Sequence, residues 1–248
     1  MLASLSPTDL DYIRPFLHSV SLKDGSVLED PSKRVEQVDF IEKGAVSLMA
    51  LAAGNIHETA MVGCHGFVGV SVVLGMPMPV YRSAVRVSGN SLRISANDLH
   101  RLMREHPPIQ QHLMRYVQAL MIHGSQTALC AARHSIEHRV ACWICLACDA
   151  LKRTVVPVTH NCLSMLLGFR RAGITATLTH LENERVVRKS RGVIQVIERE
   201  ALQRKACCCY KVIATAYDGL DVGRLRTSTT PSRDIDFIRS QRLADHPG

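Results

Sequence analysis

The 248-residue sequence has no apolar run long enough to cross a membrane. Its longest uncharged apolar stretches, Ala45 to Ala53 and Val140 to Cys148, are about half of the roughly 18 residues that such a helix requires. The N-terminus also lacks the basic-then-apolar pattern of a secretory signal, with Asp9 and Asp11 inside the first dozen residues. An intracellular, cytoplasmic protein without a membrane partner is therefore expected. There is no G-x-S-x-G, no Walker phosphate loop and no H-E-x-x-H, so the common hydrolase, nucleotidase and metalloprotease chemistries have no local signature. Gly63, Gly66 and Gly69 are spaced by three, but no βαβ unit surrounds them, so a dinucleotide loop is excluded as well. An enzyme is not expected. Nine cysteines, an odd number without an export signal, do not form a disulfide framework, and reduced thiols are the expectation.

What is present is an ordinary globular composition, 46% hydrophobic and 21% charged, of a length that suits one large or two small domains. The 30 Lys and Arg against 22 Asp and Glu give a net charge of +8. That excess is not spread out. Residues 1–151 carry 13 basic and 13 acidic side chains, residues 152–211 carry 12 and 4, and residues 212–248 carry 5 and 5. The whole excess lies in one 60-residue stretch, the electrostatic footprint of a surface that meets phosphates; a solvated basic face is the plain alternative.

From about Val20 to Ile94 short apolar segments alternate with turn signals. They are Val35–Ile41, Ala45–Leu51 after Gly44, His57–Val62 after Gly54-Asn55, then Tyr81–Val87 and Ser91–Ile94. This spacing predicts an antiparallel β domain. Asn97 is placed to cap a short helix to Glu105, and His106-Pro107-Pro108 interrupts before a long helical pattern. In that pattern Ile109, Leu113, Val117, Leu120, Gly124, Ala128 and Ala131 follow steps of 4, 4, 3, 4, 4 and 3. Such a seam suits two helices packing as a homodimer, the alternative being that it packs on the β domain.

A further helix, about Ile136 to Ala150, leads through Val155-Val156-Pro157-Val158 to Thr159, a good N-cap for a helix over His160 to Leu167. Gly168 supplies the positive φ of a tight turn. A second helix follows from about Arg170 to Glu184, with Ile174, Leu178 and Leu181 on its inner face. Ala172, Thr175, Ala176 and Thr179 fall opposite, with Arg171 on the flank, where they can enter a major groove. Arg170 and Arg171 stand at the helix start, where the helix dipole favours anions. Residues 186–197 then read as two strands around a basic turn, with Arg188, Lys189 and Arg191 as its cations. The pattern is a winged helix-turn-helix, with double-stranded DNA as its partner.

The order of small β domain, long helix and winged helix-turn-helix resembles the bacterial superfamily of the cyclic-AMP receptor protein and Fnr, over about residues 10–215. Pro157-Val158-Thr159-His160 through Leu167-Gly168-Phe169-Arg170-Arg171-Ala172-Gly173-Ile174-Thr175 looks like the family's helix-turn-helix signature. The resemblance implies that Arg171 contacts a base, that Thr159 and His160 touch the DNA backbone, and that RNA polymerase is a further partner. The glutamate and second arginine of the cyclic-AMP receptor subgroup correspond to Ala172 and Ala176, so the target sequence is not carried over. Gly66-Phe67-Val68-Gly69 with Arg82-Ser83-Ala84 looks like the family's phosphate-binding cassette, which implies ligand contacts from Gly66, Gly69, Arg82 and Ser83. Its ribose-binding acid falls on Phe67, which disfavours a cyclic nucleotide, and no cofactor is expected.

Cys142, Cys145 and Cys148 recur every third residue, drift round their helix and do not converge on one metal, so they read as small buried side chains. Cys207, Cys208 and Cys209 lie beside Arg204, Lys205 and Lys211, where cations favour thiolates and redox sensing becomes a candidate role. The expected architecture is α+β: a jelly-roll-like antiparallel β-barrel effector domain (1–106), a dimerisation helix (107–134), a winged helix-turn-helix (135–220) and a flexible tail (221–248). The function expected is a sequence-specific transcription regulator under an unidentified signal. The alternatives are an anion- or nucleotide-binding module with an acidic protein partner, and a redox-responsive regulator acting through cysteines.

Overall fold

Two strands far longer than the sequence suggests organise the N-terminal half. The computed structural model describes residues 1–52 and 55–220; the turn expected at Gly54 and the tail from residue 221 lie outside them. After a short helix α1 (Pro7–Ile13) come β1 (His18–Leu22), β2 (Val27–Glu29), β3 (Gln37–Ala52), β4 (Asn55–Val62), β5 (Phe67–Val68), a one-turn helix α2 (Val70–Val73) and β6 (Arg82–Ser95). The sequence pattern predicts a turn at Gly44 and two strands within 81–94. Instead β3 and β6 run unbroken past these points and pair antiparallel from Gln37↔Ser95 to Met49↔Arg82, with register shifts between Ile41 and Val46. The cause is a pair of facing glycines. A Cβ on Gly44 (φ +94°) would lie 2.4 Å from the Val87 carbonyl, and one on Gly89 would lie 2.0 Å from that of Lys43. Only glycines allow this bulge, which bends the strands without ending them.

The sheet order is β1-β6-β3-β4, with β2 on β6 and β5 on β3. Among the described residues no ladder joins β4 to β1, so the expected barrel is an open antiparallel sheet. Its inner face carries Val38, Phe40, Val46, Leu48, Val85 and Ile94, all buried. Helix α3 (Ala96–Glu105) is capped by Ser95, whose Oγ accepts from the Asp98 N–H at 3.0 Å, and not by Asn97.

Helix α4 (Pro107–Arg133) is broken from α3 at His106 and starts on its prolines. Ile109, Leu113, Tyr116, Val117 and Leu120 close the sheet's core from one side. The expected dimer seam is thereby corrected: its first four members are buried within the protomer, where the sheet already covers them. Another stripe remains exposed, Met114, Gln118, Met121, Ser125, Ala128 and Ala132, at alternating steps of four and three. Met121 is 68% exposed.

Helix α5 (Ile136–Leu151), β7 (Val155–Pro157), α6 (His160–Leu167), α7 (Arg171–Asn183), β8 (Val187–Ser190), β9 (Val193–Val196), α8 (Arg199–Lys205) and α9 (Cys208–Asp218) complete the chain. Their core, including Val140, Ile144, Leu163, Ile174 and Leu202, is continuous with Ala45, Met49 and Met61 of the sheet. Two contacts fix the join. Gly63 lies against the α5 backbone, where a Cβ would come within 2.2 Å of the Ala150 carbonyl. Trp143 Nε1 donates to Glu58 Oε1 at 2.5 Å, and Ser47 Oγ donates to the other carboxylate oxygen. Helix α9 returns along α4, where Tyr217 Oη and His123 Nδ1 are hydrogen-bonded at 3.0 Å. No helix among the described residues is long and apolar enough to cross a membrane.

Candidate nucleic-acid interface

Local sequence builds the helix pair as expected. Thr159 Oγ1 accepts from the Cys162 N–H at 3.1 Å and caps α6, and Gly168 ends it at φ +70°. Arg139 of α5 then stabilises the turn: its guanidinium donates to the Leu167 carbonyl at 2.8 Å and stacks on the Phe169 ring at 4.4 Å. Helix α7 begins at Arg171, so Arg170 is its N-cap residue, and no side chain caps it. Ile174, Leu178 and Leu181 are each fully buried, while Arg170, Arg171, Ala172, Thr175, Ala176 and Thr179 are exposed. The helix therefore presents a narrow face of small side chains with two arginines at its open end. A groove of DNA about 12 Å wide admits such a face.

The wing is held to this helix. Strands β8 and β9 meet at a turn closed by Gly192 at φ +73°. The Lys189 N–H donates to Glu182 Oε1 at 2.7 Å, and its ammonium lies 3.1 Å from Glu182 Oε2 and 2.8 Å from Thr179 Oγ1. Lys189 is thus partly neutralised, and it positions the wing more than it offers free charge. His160 and Thr175 also meet, Nδ1 to Oγ1 at 3.0 Å. Burial, then Lys189 and Arg171 nearby, hold the His160 ring below its usual pKa, which favours the neutral form. The wing tip reaches the start of α6, since a Cβ on Gly192 would touch Thr159 at 3.9 Å. Thr159, His160, Arg171, Thr175 and Lys189 are therefore one surface, flanked by exposed Arg170, Arg188 and Arg191. These three arginines and Arg171 form no ion pair among the described residues.

The cassette in the sheet domain differs from the phosphate cradle that the resemblance implies. A Cβ at Gly66 would sit 2.3 Å from Tyr116 Oη, and one at Gly69 (φ +110°) 2.8 Å from Val38 Cγ2. Close packing accounts for both glycines. Ser83 is fully buried and donates its hydroxyl to Glu29 Oε2 at 2.5 Å. Burial pushes the Glu29 acid up to about 7, against the pull of that hydrogen bond. The hydroxyl expected to orient a phosphate is committed to a buried acid, and an incoming anion would meet that acid. Arg82 is half-buried, with Asp30 as a charge in its surroundings.

Cysteines separated in sequence converge. Cys142, Cys145 and Cys148 are buried in the core as read. Cys207 and Cys209 instead meet Cys130 and His134 of α4. The Cys207 thiol is held well below its usual pKa, first by the thiols of Cys130 and Cys142, with the Cys209 N–H adding to this at the start of α9. Of the cations named for this effect, Lys205 acts elsewhere, tied to Glu137 at 2.9 Å and Glu184 at 2.5 Å. The missed signal was Cys130-x-x-x-His134, one helix turn that brings both side chains to one face.

Fold and surface together define a DNA-binding protein in which a sheet domain is joined by a long helix to a winged helix-turn-helix. Residues 138–205 match the Crp-like helix-turn-helix domain. The c-di-GMP-responsive global regulator CLP of Xanthomonas campestris has a similar structure, with TM-score 0.64, 13% identity and coverage of 77% of this chain and 99% of that one. FixK2 of Bradyrhizobium japonicum gives 0.64, 12%, 77% and 98%. A CRP/FNR-family transcriptional regulator of Thermus thermophilus gives 0.56, 20%, 76% and 98%. No curated protein matches the chain in sequence. Residues 138–205 thus form a Crp-like helix-turn-helix domain, and the chain shares its overall fold with transcriptional regulators of the Crp/Fnr type.

Proposed function

We propose that the chain acts as a homodimer that reads a palindromic DNA site with the first half of α7. The carrying observation is the exposed face from Arg171 to Thr179, small and uncharged beyond its leading arginines, on a helix whose opposite face is fully buried. In this reading Arg171 contacts a base edge, with Thr175 beside it. Thr159, His160, Arg170, Arg188 and Arg191 meet phosphates, and Lys189 braces the wing. The domain division is 1–106 for sensing, 107–134 for dimerisation and 135–220 for DNA. The exposed stripe of Met114, Gln118, Met121, Ser125, Ala128 and Ala132 supplies the dimer contact, because its heptad spacing suits a parallel helix pair. Twofold symmetry then sets the half-sites about 34 Å apart.

The signal acts at the sheet domain. A ligand or modification that alters packing between β6, α2 and α4 would shift the two α4 helices against each other and so reset the spacing of the reading helices. The ligand is not a cyclic nucleotide: Phe67 offers nothing to a ribose hydroxyl, and Ser83 is held by Glu29. The protein works where DNA is, in the cytoplasm, and RNA polymerase is the partner that a promoter-bound regulator meets. No catalytic role is proposed.

Selection of bound fragments from a random duplex pool at about 150 mM salt, where nonspecific affinity is suppressed, tests this reading. Enrichment of one palindrome is expected. Weak binding without enrichment would overturn it and favour a basic surface that contacts an acidic protein.

A further inference from the structure

We propose that Cys130, His134, Cys207 and Cys209 bind one divalent cation of the zinc class. Cys130 and His134 lie four residues apart at the end of α4, His134 being its C-cap residue. Cys207 is the N-cap residue of α9, and Cys209 lies in its first turn. The two helix ends thus present two ligands each, from positions 77 residues apart in the case of Cys130 and Cys207.

Their ligand atoms all lie within 4.8 Å of one another. Cys130 Sγ and Cys207 Sγ are 3.3 Å apart, and Cys209 Sγ and His134 Nδ1 are 3.6 Å apart. A tetrahedral zinc ion with bonds of about 2.3 Å to sulfur and about 2.0 Å to nitrogen has S···S edges of about 3.8 Å and S···N edges of about 3.5 Å. The side chains therefore need to move by only a few tenths of an ångström for these two pairs to fit. The donor set, three thiolates and one imidazole, is soft and complete, and it selects zinc over magnesium or calcium. All three thiols are buried, so water does not compete for a coordination position.

The surroundings suit the charged complex. Three thiolates on a divalent cation leave one net negative charge, and the buried guanidinium of Arg139 interacts with both Cys130 and Cys207. The Cys142 thiol and the Cys209 backbone N–H are placed to donate to Cys207. Cys208, between two ligands, is exposed and takes no part. The site closes over the break between α4 and α5, where the long helix hands over to the DNA-binding domain. A bound cation would clasp α9 to that junction.

The test uses the full chain, reduced and stripped with a chelator, then titrated with Co²⁺. The expected result is one Co²⁺ per chain, with the intense visible bands of a tetrahedral thiolate site, bleached by an equivalent of Zn²⁺. Cys207→Ser and, as a second variant against misfolding, His134→Gln should each weaken binding by about tenfold or more, while Cys208→Ser leaves it unchanged. A pale octahedral spectrum, or an unaltered tetrahedral one in Cys207→Ser, would overturn the proposal. So would an absence of Co²⁺ uptake with a Cys130–Cys207 disulfide found in the untreated chain. DNA binding is not the readout, so either result leaves the helix-turn-helix reading to its own test.

Discussion

Glu58→Gln should remove a pH dependence that one buried acid builds into the join between the two halves of the molecule. Glu58 stands on β4, 5% exposed, and accepts from Trp143 of α5 and from Ser47 of β3. Both donors, and Arg86 nearby, favour the carboxylate; burial outweighs them and pushes the acid up to about 7 from 4.5. Below about pH 4.5 the acid is protonated whether the chain is folded or not, and the full stability is present. As pH rises from there to about 7 the unfolded chain loses this proton while the folded chain keeps it, so stability falls; above about 7 the loss is complete. At 1.36 kcal/mol per pKa unit the loss is about 3 kcal/mol. Glutamine keeps an acceptor for Trp143 and has no proton to lose. Urea unfolding followed by the fluorescence of Trp143, the only tryptophan, between about pH 5 and pH 8 should show a sloping profile for the native protein. The variant should differ from it by a gap that opens over this range, to about 3 kcal/mol in the variant's favour. Parallel profiles would refute the reasoning, since every other titrating group is common to both.

Two further outcomes follow from packing. Met121→Glu places a charge on the exposed stripe of α4 without disturbing the protomer core, so it should shift the chain to a monomer in analytical ultracentrifugation and leave its thermal unfolding below that step little changed. Gly66→Ala drives a methyl group to within 2.3 Å of Tyr116 Oη and should cost about 1–3 kcal/mol in denaturant unfolding; Tyr116→Phe in the same chain should recover part of it.

The helix-turn-helix was legible because its determinants are local. Thr159 caps α6 through its own third neighbour, Gly168 turns the chain by its own φ, and Ile174, Leu178 and Leu181 share a face whatever lies beneath them. The sheet was less so, because whether Gly44 is a turn or a bulge depends on Gly89, which lies 45 residues on in the sequence and opposite in space. On α4 the periodic seam was real, but periodicity does not say which partner covers a face: the sheet took Ile109 to Leu120, and the more polar Met114–Ala132 stripe was left outside. Ser83 fits the phosphate cassette until Glu29, from another strand, takes its hydroxyl. The thiol cluster was hidden for the same reason, as α9 returns to the end of α4 only in the folded chain.

The central claim is that α7 reads bases. Fragment selection by the native chain and by Arg171→Ala, run side by side, tests it most directly. The account predicts that the variant loses about 1–3 kcal/mol at the selected site and that one base position in each half-site becomes degenerate while the rest of the palindrome persists. An unchanged motif, with specific and nonspecific affinity falling equally, would contradict it by making Arg171 a phosphate contact.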